Sequence, residues 1–174
     1  IFHTLEGLIM SVTATLDSYL HNKSCDYDTL SHSPSSTACE SALLSAVPIK
    51  QVIKAVLLHD HNHYILAAVP AMNKVMLPQI EQITGCRAEL AKEAEINRIF
   101  GDCALGAVPA IGQAYGLDVI WDDSLSADDD LYIEGGDHCN LIHLKQAQFQ
   151  ALMKNNPHGE ISCPPDDLYD LTHY

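Results

Sequence analysis

Two segments decide the fold: Gln51–His59, QVIKAVLLH, and His63–Val69, HYILAAV, separated by the polar tripeptide Asp60–Asn62, DHN. Both are rich in β-branched and aliphatic residues, and the polar break is too short for anything but a turn. They predict a β-hairpin with a short loop. The strands are apolar almost throughout instead of alternating, which predicts a central place in a sheet covered on both faces. One residue breaks the pattern. Lys54 stands mid-strand, and at period two its face also holds Val52, Val56 and Leu58, all apolar. An ammonium group there either reaches solvent at a sheet edge or faces a pocket, because burying it unpaired is costly.

Outward from the hairpin, residues 11–22 predict a helix capped by Ser11, and 26–31 (DYDTLS) a short strand. SPSS at 33–36 reads as a turn, with Ser36 or Thr37 capping a second helix over TACESALLSA, where Glu40 suits the positive helix start. Residues 77–84 and 92–100 predict helices, with GCRAELA (85–91) extended between them. After a Gly/Pro-rich loop (101–116), LDVIWDDSL, DLYIEGG and NLIHL read as strands and QAQFQALMK as a closing helix. Short turns between strands with irregularly interposed helices point to an α/β chain of the α+β type: one domain, a central mixed sheet, helices on its faces. Residues 1–10 read as an N-terminal extension, 11–153 as the domain, and 154–174 as an acidic, proline-containing tail, loosely attached.

With 174 residues, 47% apolar and 18% charged, the composition is that of a globular domain. No apolar run reaches membrane-spanning length. The six cysteines (25, 39, 86, 103, 139 and 163) are scattered without a Cys-x-x-Cys pair, which suits reduced thiols in a cytoplasmic protein. A net charge of −14 argues against a long nucleic-acid footprint.

Four features carry possible chemistry. Lys54 is the first. The second is GAVPAIG (106–112), where two glycines and a proline fix an unusual backbone whose N–H groups can hold a carbonyl or oxyanion; a plain structural loop is the competing reading. The third is EGGDHCN (134–140), where Asp137 and His138 follow paired glycines between two strands; His138 positions a substrate or merely occupies a turn. The fourth, HDHNH (59–63), suggests a metal, but Asp60 and Asn62 mark a turn and no partner ligand completes a spacing, so no metal is expected. There is no Gly-x-Ser-x-Gly, P-loop or dinucleotide fingerprint, and no cofactor is expected.

In order, TACESA, VIKAVLL, AELAKEAEI, GAVPAIGQAYGL, DDSL and EGGDHCNLIHL resemble the YbaK / EbsC family and the editing (insertion) domain of bacterial prolyl-tRNA synthetases over roughly residues 11–153. The resemblance implies a deacylase that hydrolyses mischarged aminoacyl-tRNA, often tRNA(Pro), in which the ribose hydroxyl of the tRNA assists. Lys54 matches the family's required lysine, and His138 its late histidine that selects the amino acid. The Gly106, Ala107, Val108, Pro109 and Gly112 stretch falls on the loop that positions the aminoacyl carbonyl, with Gly136 and Asp137 beside His138. In one departure, Pro109 follows Gly106 by three residues where many members have four. The implied partners are the acceptor end of aminoacyl-tRNA and an aminoacyl-tRNA synthetase. The alternative is a member that keeps the fold as a catalytically inactive binding or regulatory module. Six cations in mid-chain (Lys50, Lys54, Lys74, Arg87, Lys92 and Arg98) offer a local basic rim on an acidic body.

Overall fold

The computed structural model describes residues 11–61 and 63–165. The expected extension at 1–10 and the residues beyond 165 lie outside them. The hairpin forms as the pattern predicts. Strand β2 (Val52–Asp60) pairs antiparallel with β3 (His63–Pro70), Lys54 opposite Val69. They are the centre of the sheet. On one side β3 is joined by β6 (Asp118–Asp122) in parallel, and β6 by β9 (His158–Gly159), also in parallel. On the other side β2 meets β7 (Asp130–Glu134) in parallel, and β8 (Asn140–Lys145) and β1 (Asp28–Ser31) follow antiparallel. The short β5 (Glu89–Leu90) pairs with the far end of β2, at Leu58 and His59. The sheet is therefore mixed and the domain single, as the strand and helix pattern requires.

Its two faces are both covered, which explains the continuous apolar runs. Ile53 and Leu57 of β2 join Leu66, Trp121, Ile133 and Leu144 in a core closed by Leu16 and Leu20 of α1 (Ala14–Asn22) and Phe149 and Leu152 of α5 (Gln146–Met153). Leu58, Ile65, Ala67 and Val69 point the other way, against Ile80 of α3 (Leu77–Thr84) and Ile161. Val52 packs with Ala71 and with Ala42 of α2 (Ala38–Ser45). The helix at 92–100 forms as α4 (Glu93–Ile99), and the stretch 85–91 extends only at β5.

Two expectations change. Thr13, not Ser11, sits at the cap position of α1, and its hydroxyl bonds the Tyr115 hydroxyl at 3.1 Å instead of capping. The tail is not loose over 158–163. Besides β9, Ser162–Cys163 forms β10, antiparallel to β4 (Lys74–Val75). Ile161 is fully buried, and the buried Asp122 carboxylate accepts from Ile161 N (3.0 Å) and Ser162 Oγ (2.8 Å). Prolines and polar side chains hide this docking from a composition reading, because short pairings need no apolar run. Among the described residues, no helix is long and apolar enough to cross a membrane.

Candidate active site

The site arises where the sheet opens. The parallel pairing of β2 with β7 lasts for two residues, Val52↔Tyr132 and Ile53↔Ile133. β7 then ends at Glu134, and β2 next gains a strand on that edge at Leu58. Lys54 is thus the first residue of β2 past the pairing. Into the opening come the loop after α4, the turn after β7 and the start of α2. Together they enclose a cavity of about 290 Å³ lined by Lys54, Ile53 and Ala55, by Gly106 and Val108, by Glu134 and His138, by Ala71, and by residues 36–39. That volume lies at the small end of ligand pockets.

Lys54 is half-buried, and among the described residues its ammonium has neither an ion pair nor a hydrogen-bond partner. Burial holds its ammonium below the ordinary lysine value; the Cys39 thiol opposes this and the nearby Lys74 adds to it. Glu134 shares the cavity. Burial raises its carboxyl above the usual range, although its Oε1 accepts from the N–H groups of Gly136 and His138, each at 3.1 Å. Glu134 thus brings a carboxyl to the same cavity, but among the described residues no carboxylate lies within ion-pair distance of the Lys54 ammonium.

His138 is held in the left-handed region (φ 61°) by contacts on both sides. Its carbonyl accepts from Ser35 N at 3.0 Å, and its Nε2 meets the Leu105 carbonyl at 2.5 Å. A carbonyl only accepts, so Nε2 carries the proton and, in the neutral ring, Nδ1 is left as an acceptor. Gly106, at φ 77°, lies directly against this ring: a Cβ built there would stand 3.9 Å from His138 Cε1.

The remaining residues of the two motifs support the cavity instead of lining it. Ala107 and Pro109 are buried under the loop. Gly112 packs so closely on β3 and β6 that a Cβ would come within 2.9 Å of Val119 and 3.0 Å of Leu66. Gly136 adopts φ 103°, and a Cβ there would meet Thr13 Cγ2 at 2.2 Å. Asp137 is turned inward: its Oδ1 accepts from Cys139 N and Asn140 N, both at 2.9 Å, and Oδ2 from Asn140 Nδ2 at 2.5 Å. Its carboxylate shapes the turn that presents His138.

Sequence reasoning missed Thr37, Cys39 and Glu134 as lining residues. Thr37 caps α2, accepting from Glu40 N at 3.1 Å, so the first turn of the helix opens onto the cavity. Cys39 Sγ donates to the Ala71 carbonyl at 3.5 Å. The capping residue was readable; which cavity the helix start would face was not.

The histidines of HDHNH diverge. His59 lies 4.0 Å from Glu89, His61 sits in the turn 3.8 Å from Asp60, and His63 bonds Asp118 at 2.6 Å. Among the described residues no three His, Cys, Asp or Glu side chains converge as metal ligands.

The family model of the aminoacyl-tRNA editing domain matches residues 32–152, which spans α2, the hairpin, both motifs and most of α5. The chain belongs to the aminoacyl-tRNA editing domain family. No curated protein matches the sequence. Solved structures share the editing-domain fold. One, the hypothetical protein APE2540, has a TM-score of 0.76 at 16% identity, over 86% of this chain and 99% of that one. A candidate trans-editing enzyme for prolyl-tRNA synthetase has a TM-score of 0.74 at 19% identity, over 86% of this chain and 95% of that one. A candidate signal transduction protein from Marinobacter aquaeolei VT8 has a TM-score of 0.72 at 13% identity; 88% of this chain is covered but only 31% of that longer one. At these identities the likeness is one of fold.

Proposed function

We propose that this editing domain hydrolyses the ester of mischarged aminoacyl-tRNA in trans, with the aminoacyl group in the Lys54 cavity. The observation that carries the reading is Lys54: a half-buried ammonium that makes no ion pair among the described residues, on β2 between its pairings with β7 and β5. Such a charge favours a ligand that brings an anionic oxygen, either a terminal phosphate or the oxyanion that forms when the ester carbonyl is attacked. Water adds to the carbonyl carbon, the carbon–oxygen bond to the ribose breaks, and the proton passes to the leaving ribose oxygen. An aminoacyl ester is already activated, so positioning supplies much of what is needed. The Gly106–Val108 segment seats the aminoacyl carbonyl, His138 offers Nδ1 toward the substrate, and the ribose hydroxyl of the tRNA assists the water. A small cavity suits a small aminoacyl group, and tRNA(Pro) is the first carrier to test.

The decisive experiment is a panel of Ala-, Ser-, Thr- and Cys-charged tRNAs, tRNA(Pro) included, incubated with the purified protein. At least one member is expected to lose its amino acid faster than the buffer control. Lys54→Ala is expected to lower that rate by at least about 100-fold, the scale of removing one oxyanion-type contact, with the circular dichroism spectrum unchanged. Full activity of Lys54→Ala, or an inert wild-type protein across the panel, sinks the reading and leaves a binding module.

A further inference from the structure

The stretch GAVPAIGQAYGL holds Tyr115, which the proposed chemistry leaves unused. Tyr115 closes the short helical turn Gly112–Tyr115, which Gly112 seats tightly on Val119 and Leu66 of the sheet. Its ring packs on the buried Phe100, with 4.6 Å between centroids. The hydroxyl is therefore carried on a rigid support. Three side chains meet it: Asp102 Oδ1 at 2.9 Å, Thr13 Oγ1 at 3.1 Å and Cys103 Sγ at 3.3 Å. Burial pushes the Asp102 carboxyl up, but hydrogen bonds from Thr15 and Tyr115 hold it below the usual carboxylate value. A carboxylate only accepts, so the phenol proton goes to Asp102 and the phenol oxygen accepts from the Thr13 hydroxyl. Burial pushes the Cys103 thiol up to about 11, so it stays protonated and donates within the same cluster.

We infer that Tyr115 is a positioning residue for the reaction: its hydroxyl fixes the loop after α4 and the turn after β7 at one separation, and so sets Gly106 and the His138 ring against each other. The inference rests on the proposed deacylation. Each partner of the hydroxyl leads to one of the two segments. Thr13 serves the turn: its N–H donates to the Gly135 carbonyl at 3.0 Å, and its Cγ2 fills the space beside Gly136. Asp102 and Cys103 open the loop. Directly after them, Ala104 N donates to the Gly136 carbonyl at 2.8 Å, the Leu105 carbonyl holds His138 Nε2, and Gly106 lies against the ring. Tyr115 is not among the residues that line the cavity, so it acts through these two segments. A hydroxyl cluster that served stability alone could join any two segments; this one joins the two that meet at His138. Small misplacements of groups around a reacting centre can cost up to about 100-fold in rate.

The test is Tyr115→Phe in the full-length protein, which keeps the ring on Phe100 and removes the hydroxyl. On a charged tRNA that the panel identifies, kcat is expected to fall about tenfold or more with KM within about twofold of wild type, because the cavity keeps its lining while its two walls lose their register. A second readout needs no substrate. Long-range proton–nitrogen NMR spectra of the neutral His138 ring, assigned with His138→Gln, are expected to show the Nε2-protonated form in wild type. In Tyr115→Phe they are expected to show a mixture of both tautomers, because the Leu105 carbonyl no longer meets the ring in one place. Thr13→Val keeps the backbone bond to Gly135 and removes the hydroxyl; it is expected to act in the same direction, and it carries the test if Tyr115→Phe does not fold. The double variant is expected to cost no more in kcat than Tyr115→Phe alone. As a control, Thr84→Val removes hydroxyl bonds to Ile80 and Cys86 at the end of α3 and is expected to lower the melting temperature without moving either readout. If Tyr115→Phe and Thr13→Val lower the melting temperature while kcat and the tautomer stay as in wild type, the hydroxyl serves stability alone and the inference is overturned. If the panel finds no deacylation, the functional reading falls and the tautomer decides by itself: a mixture upholds Tyr115 as the group that positions His138, and an unchanged ring overturns it.

Discussion

At the scale of single residues, Lys54 is expected to act in opposite directions on folding and, under the proposed function, on binding. Its folded value is below the ordinary 10.5, so the fold penalises the charged form. That penalty is fully present at neutral pH. It is relieved as pH climbs through the lowered folded value toward 10.5, where the unfolded chain also sheds its proton. Lys54→Met is therefore expected to be more stable than wild type near neutral pH, with the advantage shrinking at higher pH; urea unfolding at the two pH values checks the sign. By the same shift, activity that needs the charged ammonium falls off at a lower pH than an ordinary lysine would dictate. The lysine was legible because it interrupts an apolar strand. Asp137 was misleading: it sits beside His138 in sequence, but an aspartate followed by free N–H groups two and three residues on turns back onto its own backbone, and no composition signal separates that from a substrate contact.

At the scale of elements, α2 is a short helix with a demanding position. Its cap is the Thr37 hydroxyl on Glu40 N, reinforced by the Glu40 carboxylate accepting from Ser36 N at 2.9 Å. Its other end stops at Ala46 in the left-handed region. Eight residues have little intrinsic helicity, so the cap holds both the helix and the wall of the cavity that Thr37, Ala38 and Cys39 supply. Thr37→Ala is expected to cost about 1 kcal/mol of stability by denaturant unfolding and to slow deacylation more than the stability loss explains; Thr37→Ser is expected to restore both. The hairpin, α3, β7 and α5 were all readable from pattern. The α1 start was not, because Thr13 gives its hydroxyl to Tyr115, more than a hundred residues away, and such distant partners leave no local trace.

At the scale of the whole molecule, Asp122 joins the last described segment to the sheet. One oxygen accepts from Ser124 N and Oγ, at 2.9 and 2.5 Å, and the other from Ile161 N and Ser162 Oγ. Removing a buried carboxylate with this many donors strands them all. Asp122→Ala is expected to destabilise by about 3 kcal/mol and to make residues 158–165 sensitive to protease; resistance equal to wild type would show that the segment holds without it. This docking was invisible in a stretch that reads as polar and proline-broken. The mixed sheet, by contrast, followed from short turns between strands with irregularly interposed helices, and its two covered faces from strands that are apolar almost throughout.

The two-residue pairing of β2 with β7 has a further consequence, for the order in which the protein becomes competent. The walls of the cavity come from residues 36–39, 53–55, 71, 106, 108, 134 and 138, so no early portion of the chain holds it. Closing contacts so distant in sequence is slow compared with forming a hairpin. On the ribosome, or in a refolding mixture, hydrolysis would appear only after the last of these walls has arrived. Catalysis would then serve as a clock for the completion of folding, running behind any signal from the β2–β3 hairpin.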